Sequence, residues 1–514
     1  MTADSDYLRV IYNNIPRVLS LFDNEKFSKT YGIGDRNYWA WAQTDFPNGT
    51  YQGFVNGLTK LFNEGLLDNY FTQSSYMDFF ESIFEGTKKT QNKNGSLNEA
   101  FPNEQSWCVT SLVAYDLITA LLDNHLLDKQ NLHNKIADIE PMLEFMKRKP
   151  ESHAFISNHL VTGAAAFLKW QELTGDASYE HEAERIVKNV ITSGNSEGWF
   201  REYGGFDAGY QTITTQYLQE IFSLRPNWDT NSELNRSLEF ISNFFNPDGS
   251  FGGMIGSRQT NFYYPGGFHL MSQKNQLAAK ISNTGKIRLI KNQIVNLNAI
   301  DLGNLTPLFN SYCIAALNPV DPKIGELDPP KPSRKVYEHC GIVIDIGSNH
   351  KTIVSLQKGG IVQHYLGVEE KIIDCGVIVE NNKGKLGTTQ HEINNLNFSL
   401  NGSTIRLNST IHEFARELPT PIKFAVLRIL AITLFRSQLI LKTFKRLIIR
   451  KLITNQKDWK IKYVREIDLG EVIQIRNKIE TKQGTKIISN AANFSPIHMA
   501  SRGYWQVGNQ NHDS

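Results

Sequence analysis

The chain has only four cysteines in 514 residues, Cys108, Cys313, Cys340 and Cys375, and none stands in CxxC or CxxH spacing. That excludes a readable zinc cluster and a disulfide framework, so no metal is expected. The N-terminus, Met1-Thr2-Ala3-Asp4-Ser5-Asp6, is acidic and lacks the apolar core of a secretory leader, which makes a cytoplasmic protein the expectation. Net charge is only +2, too little for a general nucleic-acid binder. Gly32-Ile33-Gly34 and Gly204-Gly205 lack the further glycines and the strand-turn-helix setting of a nucleotide loop, so no cofactor is expected either.

What the chain does have is length for two or more domains with sizeable cores. An apolar content of 40% and a charged content of 21% are those of an ordinary globular protein. Aromatics reach 11%, and Tyr and Trp gather in turns. Carbohydrate clefts are lined this way, and so is a plain aromatic core.

From about Tyr7 to Leu317 apolar residues recur at three- and four-residue steps. This predicts successive amphipathic helices, among them Gln52 to Gly65, Val109 to Leu122, Ile136 to Lys147, His159 to Thr174, Glu180 to Thr192, Gln211 to Phe222 and Ser232 to Phe245. Gly-rich loops return between them at Asn94–Pro102, Glu197–Tyr210 and Asn246–Gly253. Helical hairpins set around a ring fit that recurrence. Prolines at 322, 329, 330 and 332 mark residues 321–335 as a linker between a domain of residues 1–320 and one of residues 336–514.

Beyond the linker the period becomes two. Strands are predicted at Gly341 to Ile346, Lys351 to Leu356, Ile372 to Val379, Leu396 to Leu400, Thr404 to Leu407, Trp459 to Ile467 and Val472 to Ile479, giving an antiparallel sandwich. Residues 419–454 break this pattern, being helical, apolar and basic with no acidic residue. On a continuous helix Arg428, Arg436, Lys442, Arg446 and Arg450 fall within an arc of roughly 120°. Cations are too frequent for a membrane span. An insertion of one or two helices lying on an anionic membrane surface accounts for the composition, and a helix packed on the protein with a solvated basic face is the alternative.

Three residues suggest chemistry. Asn158-His159 heads one predicted helix, and Tyr210 closes the aromatic Gly-rich loop before another. Taking the proton from C5 of a uronic acid requires that the sugar carboxylate be neutralised, which an amide and an imidazole can do. A phenol whose pKa is lowered by nearby cations can then move the proton and protonate the leaving oxygen. Arg201 is a candidate for that lowering or for gripping the acid, with Glu202 and Tyr203 beside it as substrate-binding residues. Arg258, Tyr264 and His269 follow the third Gly-rich loop, where they line subsites or form a structural turn. Glu99 and Glu104 cannot be read as a glycosidase pair without their separation in space.

Ser157-Asn158-His159-Leu160, followed some fifty residues later by the loop ending in Tyr210, resembles the heparinase II/III and alginate lyase superfamily. The resemblance implies a multidomain α + β protein, an N-terminal (α/α) toroid joined to an antiparallel β-sandwich with the cleft between them. It implies β-elimination with Asn158 as carboxylate neutraliser, His159 as neutraliser or base, and Tyr210 as acid or as both base and acid. Family members often carry His-x-His-x-Asp at an early sandwich strand. This chain has Ser348-Asn349-His350-Lys351-Thr352, which keeps His350 as a cleft candidate and loses the other two.

The expected protein is thus a polysaccharide lyase-like enzyme acting on a uronate-containing anionic polysaccharide or lipid-linked glycan, in capsule or exopolysaccharide metabolism. It would be peripheral on the inner membrane face and bound there through residues 419–454. A uronyl C5-epimerase and a non-catalytic glycan-binding scaffold are the alternatives.

Overall fold

The structure is a computed structural model that describes residues 3–151, 154–229, 232–393, 395–414, 420–449, 457–480, 485–491, 493–496 and 501–504. Thirteen helices among these precede the linker: α1 (Ser5–Leu19), α2 (Arg36–Trp39), α3 (Phe54–Asn63), α4 (Gln73–Thr90), α5 (Trp107–Asp123), α6 (Lys129–Arg148), α7 (Ser157–Thr174), α8 (Glu180–Ser193), α9 (Ala208–Leu224), α10 (Glu233–Ser242), α11 (Gly266–Met271), α12 (Gln276–Ile290) and α13 (Leu302–Leu317). Helices α3, α5, α7, α9, α11 and α13 touch in that order, and α13 returns to α3, closing an inner ring. Helices α1, α6, α8, α10 and α12 pack outside it, while α4 lies on the 3-10 turn Gly49–Gly53 that leads into α3. This is the expected toroid of helical hairpins.

The difference between the layers is written in composition. Inner helix α5 is buried at every position from Val109 to Leu121 except Leu112, as a helix apolar all round must be. Outer helix α8 buries only Ala183, Ile186, Val187 and Val190, one stripe at helical spacing. Small residues let the inner helices approach. A Cβ on Gly163 of α7 would lie 2.3 Å from Cη2 of Trp107 on α5.

The segment before the sandwich is strapped to α12 rather than loose. Leu327 N–H donates to Thr284 Oγ1 (2.8 Å), and Lys280 pairs with Asp328 (2.5 Å). Strand β1 (Ser333–Tyr337) then opens a five-stranded antiparallel sheet with β2 (Ile342–Ile346), β3 (His350–Ser355), β4 (Ile361–Leu366) and β5 (Glu369–Asp374) in order. The second sheet orders β11 (Gln474–Ile479), β10 (Asp458–Asp468), β9 (Thr404–Glu413), β7 (Leu386–Thr388), β6 (Val377–Glu380) and β12 (Lys486–Asn490), with β8 (Phe398–Asn401) also on β9. Val343, Val354 and Val362 of the first sheet meet Ile405 and Ile467 of the second in one apolar layer, the expected sandwich. The single strand expected from Ile372 to Val379 is two. Gly376, at φ +96°, turns the chain so that β5 and β6 join different sheets.

The basic insertion is a helical hairpin, α14 (Pro421–Ile432) and α15 (Gln438–Ile449), broken by a 3-10 turn at Leu434–Arg436. The break divides the cationic arc expected of a continuous helix, and Arg450 lies outside the described residues. Ala431, Phe435 and Leu441 pack on Phe101 of the toroid.

Gly163→Ala tests the close approach of α5 and α7. Overpacking of this kind costs about 1–3 kcal/mol, more than the roughly 1 kcal/mol that alanine gains in a helix. Thermal denaturation followed by tryptophan fluorescence should show a net loss of stability and an altered native emission, because Trp107 must move.

Candidate active site

Four inner-ring helices begin at the same end of the toroid. Ser106, Trp107 and Cys108 start α5, Asn158 and His159 start α7, Tyr210 lies in the first turn of α9, and Gly303 and Asn304 start α13. All of these line one cavity of about 340 Å³, together with Tyr203, Arg258, Glu99, Glu104, Lys445 and Ser501. Helix N-termini carry partial positive charge and unpaired N–H groups, so their convergence favours an anion.

The loop Glu197–Tyr210 is stitched to the head of α7. Ser157 donates to the Arg201 carbonyl from both N–H (3.1 Å) and Oγ (2.6 Å), and Tyr203 N–H donates to the Phe155 carbonyl (2.9 Å). Asn158 Nδ2 donates to Glu202 Oε2 at 2.8 Å, which fixes the amide. The His159 ring is held at Nδ1 by Glu151 Oε2 (2.9 Å), whose carboxyl is 1% exposed. This contact fixes the orientation of the imidazole.

Asp207 fixes the other side. Its carboxylate caps α9 by accepting Tyr210 N–H (3.3 Å), and it accepts Arg258 N–H (2.9 Å) and the Thr260 hydroxyl. The Arg258 guanidinium then lies 4.7 Å from the Tyr203 ring centroid and 5.9 Å from that of Tyr210. Its Nε is buried with no hydrogen-bond partner among the described residues.

Electrostatics run against one expectation. Burial pushes the Tyr210 phenol well up, and Arg258 offsets only part of this, so the phenol is not lowered by its cationic neighbour. Burial likewise takes Tyr203 up to about 12 and Glu202 up to about 8, Arg258 again opposing. Glu99 rises to about 7 through burial and the charge of Glu104. Glu104 in turn receives the N–H groups of Glu99 (3.0 Å) and Ala100 (2.6 Å) and the ammonium of Lys445 (3.3 Å).

Asn158, His159, Tyr203, Tyr210 and Arg258 are therefore brought together. Glu202 stands behind Asn158 rather than on the cavity wall. Arg201 is exposed and off the cavity wall, its Nε donating to the Tyr203 carbonyl (2.8 Å); Tyr203, at φ +57°, breaks the extended alternation that would set the two side chains on one face. Tyr264 and His269 are each 1% exposed within the toroid core, where His269 Nδ1 bonds the Asn318 carbonyl (2.9 Å). His350 belongs to the sandwich, its Nε2 on Asp345 (3.0 Å), and Thr352 bonds His364 Nδ1 (2.8 Å). No cluster of three metal-ligating side chains occurs among the described residues. Lys445, Glu151 and Ser501 join the site without any signal in the sequence, since each arrives from a separate part of the chain. Glu99 and Glu104 are neighbours at the wall, a question that their spacing alone left open.

Neither any protein-family model nor any curated protein matches the sequence. Among solved structures, heparinase III is similar over 91% of this chain and 69% of its own, at 10% identity and a TM-score of 0.50. A Paenibacillus xanthan lyase is similar over 94% of this chain and 46% of its own, at 9% identity and a TM-score of 0.53. The chain has the fold of toroid-plus-sandwich polysaccharide lyases, and it spans under half the length of the second.

Raised carboxyl pKa values predict the sign of a pH effect. Glu202 goes from 4.5 to about 8 on folding, so between those values the folded chain holds a proton that the unfolded chain has lost. Its contribution therefore lowers stability as pH rises through that window and is level above it. Melting temperatures of wild type and Glu202→Gln, compared across the window, should show wild type losing ground steadily as pH increases.

Proposed function

We propose that the protein is a polysaccharide lyase-like enzyme that cleaves a uronate-containing anionic glycan by β-elimination. The observation that carries this is one cavity lined jointly by Arg258, Asn158, His159 and Tyr210. A guanidinium at a cavity wall calls for an anionic oxygen, and a uronate carboxylate supplies one. Fold likeness to a heparinase and a xanthan lyase supports the reaction class.

In this reading the carboxylate lies against Arg258 and the Asn158 amide, which stabilise the charge that develops when C5 loses its proton. His159, oriented by Glu151, takes that proton on its imidazole. The pair of electrons forms the C4–C5 double bond as the C4–O bond breaks, and Tyr210 donates its proton to the departing oxygen. Burial keeps the phenol protonated, which suits the acid's role better than the base's. Lys445 and Arg258 give the cavity two cations, fitting a polymer with recurrent carboxylates such as a capsule or exopolysaccharide.

Incubation with a panel of acidic polysaccharides, followed by ultraviolet absorbance, tests the reaction directly. Growth of the unsaturated-uronate band is expected, and Tyr210→Phe should lower kcat by about 10² to 10⁴. Solvent deuterium entering C5 with no new band would replace the lyase with an epimerase, and glycan binding without either would leave a scaffold.

Lys445→Ala should act on binding. Losing a charge-assisted contact of about 1.5–3 kcal/mol raises KM by roughly ten- to hundredfold with kcat nearly kept. Steady-state kinetics on the same polymer measures both.

A further inference from the structure

The insertion hairpin is amphipathic in the inverted sense. Its cations Arg428 and Lys445 turn inward, to Asp45 at 3.0 Å and to Glu104 at 3.3 Å. Its aliphatic side chains turn outward, with Ile422 at 77%, Ile429 at 59% and Leu439 at 78% exposure, and Phe424, Leu434 and Leu447 beside them in sequence on the same three elements. Exposed apolar patches of this kind on soluble chains mark contact surfaces.

We propose that this outward face docks on an anionic phospholipid bilayer. Arg436 and Arg446 are exposed on the same hairpin, and no acidic residue occurs from 419 to 454. A bilayer with acidic headgroups meets both demands at once, apolar depth for the aliphatic side chains and negative charge for the arginines. A second copy of the chain meets them poorly, since a two-fold contact would set the same arginines against each other with no carboxylate in the segment to pair them. Each helix of the hairpin has 12 residues, and no helix among the described residues is long and apolar enough to cross a membrane, so the hairpin lies along the surface. The negative cytoplasmic leaflet is the surface of matching charge.

Because the inner side of the hairpin supplies Lys445 to the cavity wall, docking would present the site to glycan tethered at that surface. That last step rests on the lyase reading, whereas the docking itself does not.

Full-length protein is sedimented with phosphatidylcholine vesicles, with and without phosphatidylglycerol, and its mass in solution is followed by light scattering. Binding is expected only to the anionic vesicles. It should fall at least tenfold in Ile429→Asp/Leu439→Asp, whose side chains carry no core packing, with an unchanged melting temperature. Arg436→Glu/Arg446→Glu should weaken binding while leaving the apolar face intact. Absence of vesicle binding, binding that both variants retain, or a dimer abolished by the aspartates in place of vesicle binding would each overturn the proposal. No glycan enters these measurements, so their failure is separate from failure of the elimination chemistry.

Discussion

Asp207 receives protons from three parts of one loop system: the N–H of Tyr210, the N–H of Arg258 and the hydroxyl of Thr260. It is 1% exposed, and burial raises its carboxyl above the usual range, so these donors are what make the group tolerable there. Its geometry sets where the first turn of α9 stands relative to the Arg258 segment, and hence where the phenol stands relative to the guanidinium. Across the cavity, the short pairing of Ile156 with Glu202 does the corresponding task for α7. The candidate site is thus two helix starts, each tied to a loop by backbone and carboxylate hydrogen bonds rather than by side-chain packing alone.

The charge of the cavity needs both halves of its inventory. Arg258, Lys445 and the N-termini of four parallel inner helices favour an anion. Glu99, Glu104 and Asp301 on the wall, and Glu151, Glu202 and Asp207 beside it, oppose it, but burial raises Glu99 to about 7 and Glu202 to about 8, so Glu202 is largely neutral near neutral pH. A protonated carboxyl adds no negative charge to oppose an anion. The same desolvation holds Tyr210 as a neutral phenol. One physical cause, burial at the ring's end, therefore raises Glu99, Glu202 and Tyr210 together.

Legibility in sequence followed range of interaction. Most helix ends were readable because caps and apolar spacing are local, although α6 begins at Lys129, ahead of the expected Ile136, and α10 ends at Ser242, short of Phe245. Asn158, His159 and Tyr210 share a cavity because α7 and α9 are neighbours in a ring whose inner helices start at one end. Tyr264 and His269 failed to reach it for a reason no local pattern carries, since an aromatic turn reads the same whether it faces a cleft or the core. Lys445 and Glu151 were invisible for the opposite reason: what matters about them is a partner close in space but on another element, Glu104 for Lys445 and His159 for Glu151. The break at Gly376 and the turn at Leu434–Arg436 interrupt apolar runs that look continuous in one dimension.

The sandwich's part differs from that of a wall. Apart from Lys445 of the hairpin and Ser501, every described residue lining the main cavity comes from the toroid. What the sheets supply is bracing. Gln357 donates to the carbonyl of Gly204, and Ser355 Oγ donates to that of Ile255 (2.7 Å), one on each loop that feeds the site. Lys351, 5% exposed, gives its ammonium to the carbonyls of Asn243 (2.6 Å) and Phe245 (3.0 Å), just past α10. Helix C-termini attract cations, yet burial brings this ammonium down to about 7. A cation held so deep persists only while both carbonyls stay in reach, so the two domains are registered by a contact that any relative sliding would break. The loops carrying Tyr203, Tyr210 and Arg258 inherit their positions from that registration, which is why the sheets belong to the site's geometry although no described strand residue lines the cavity.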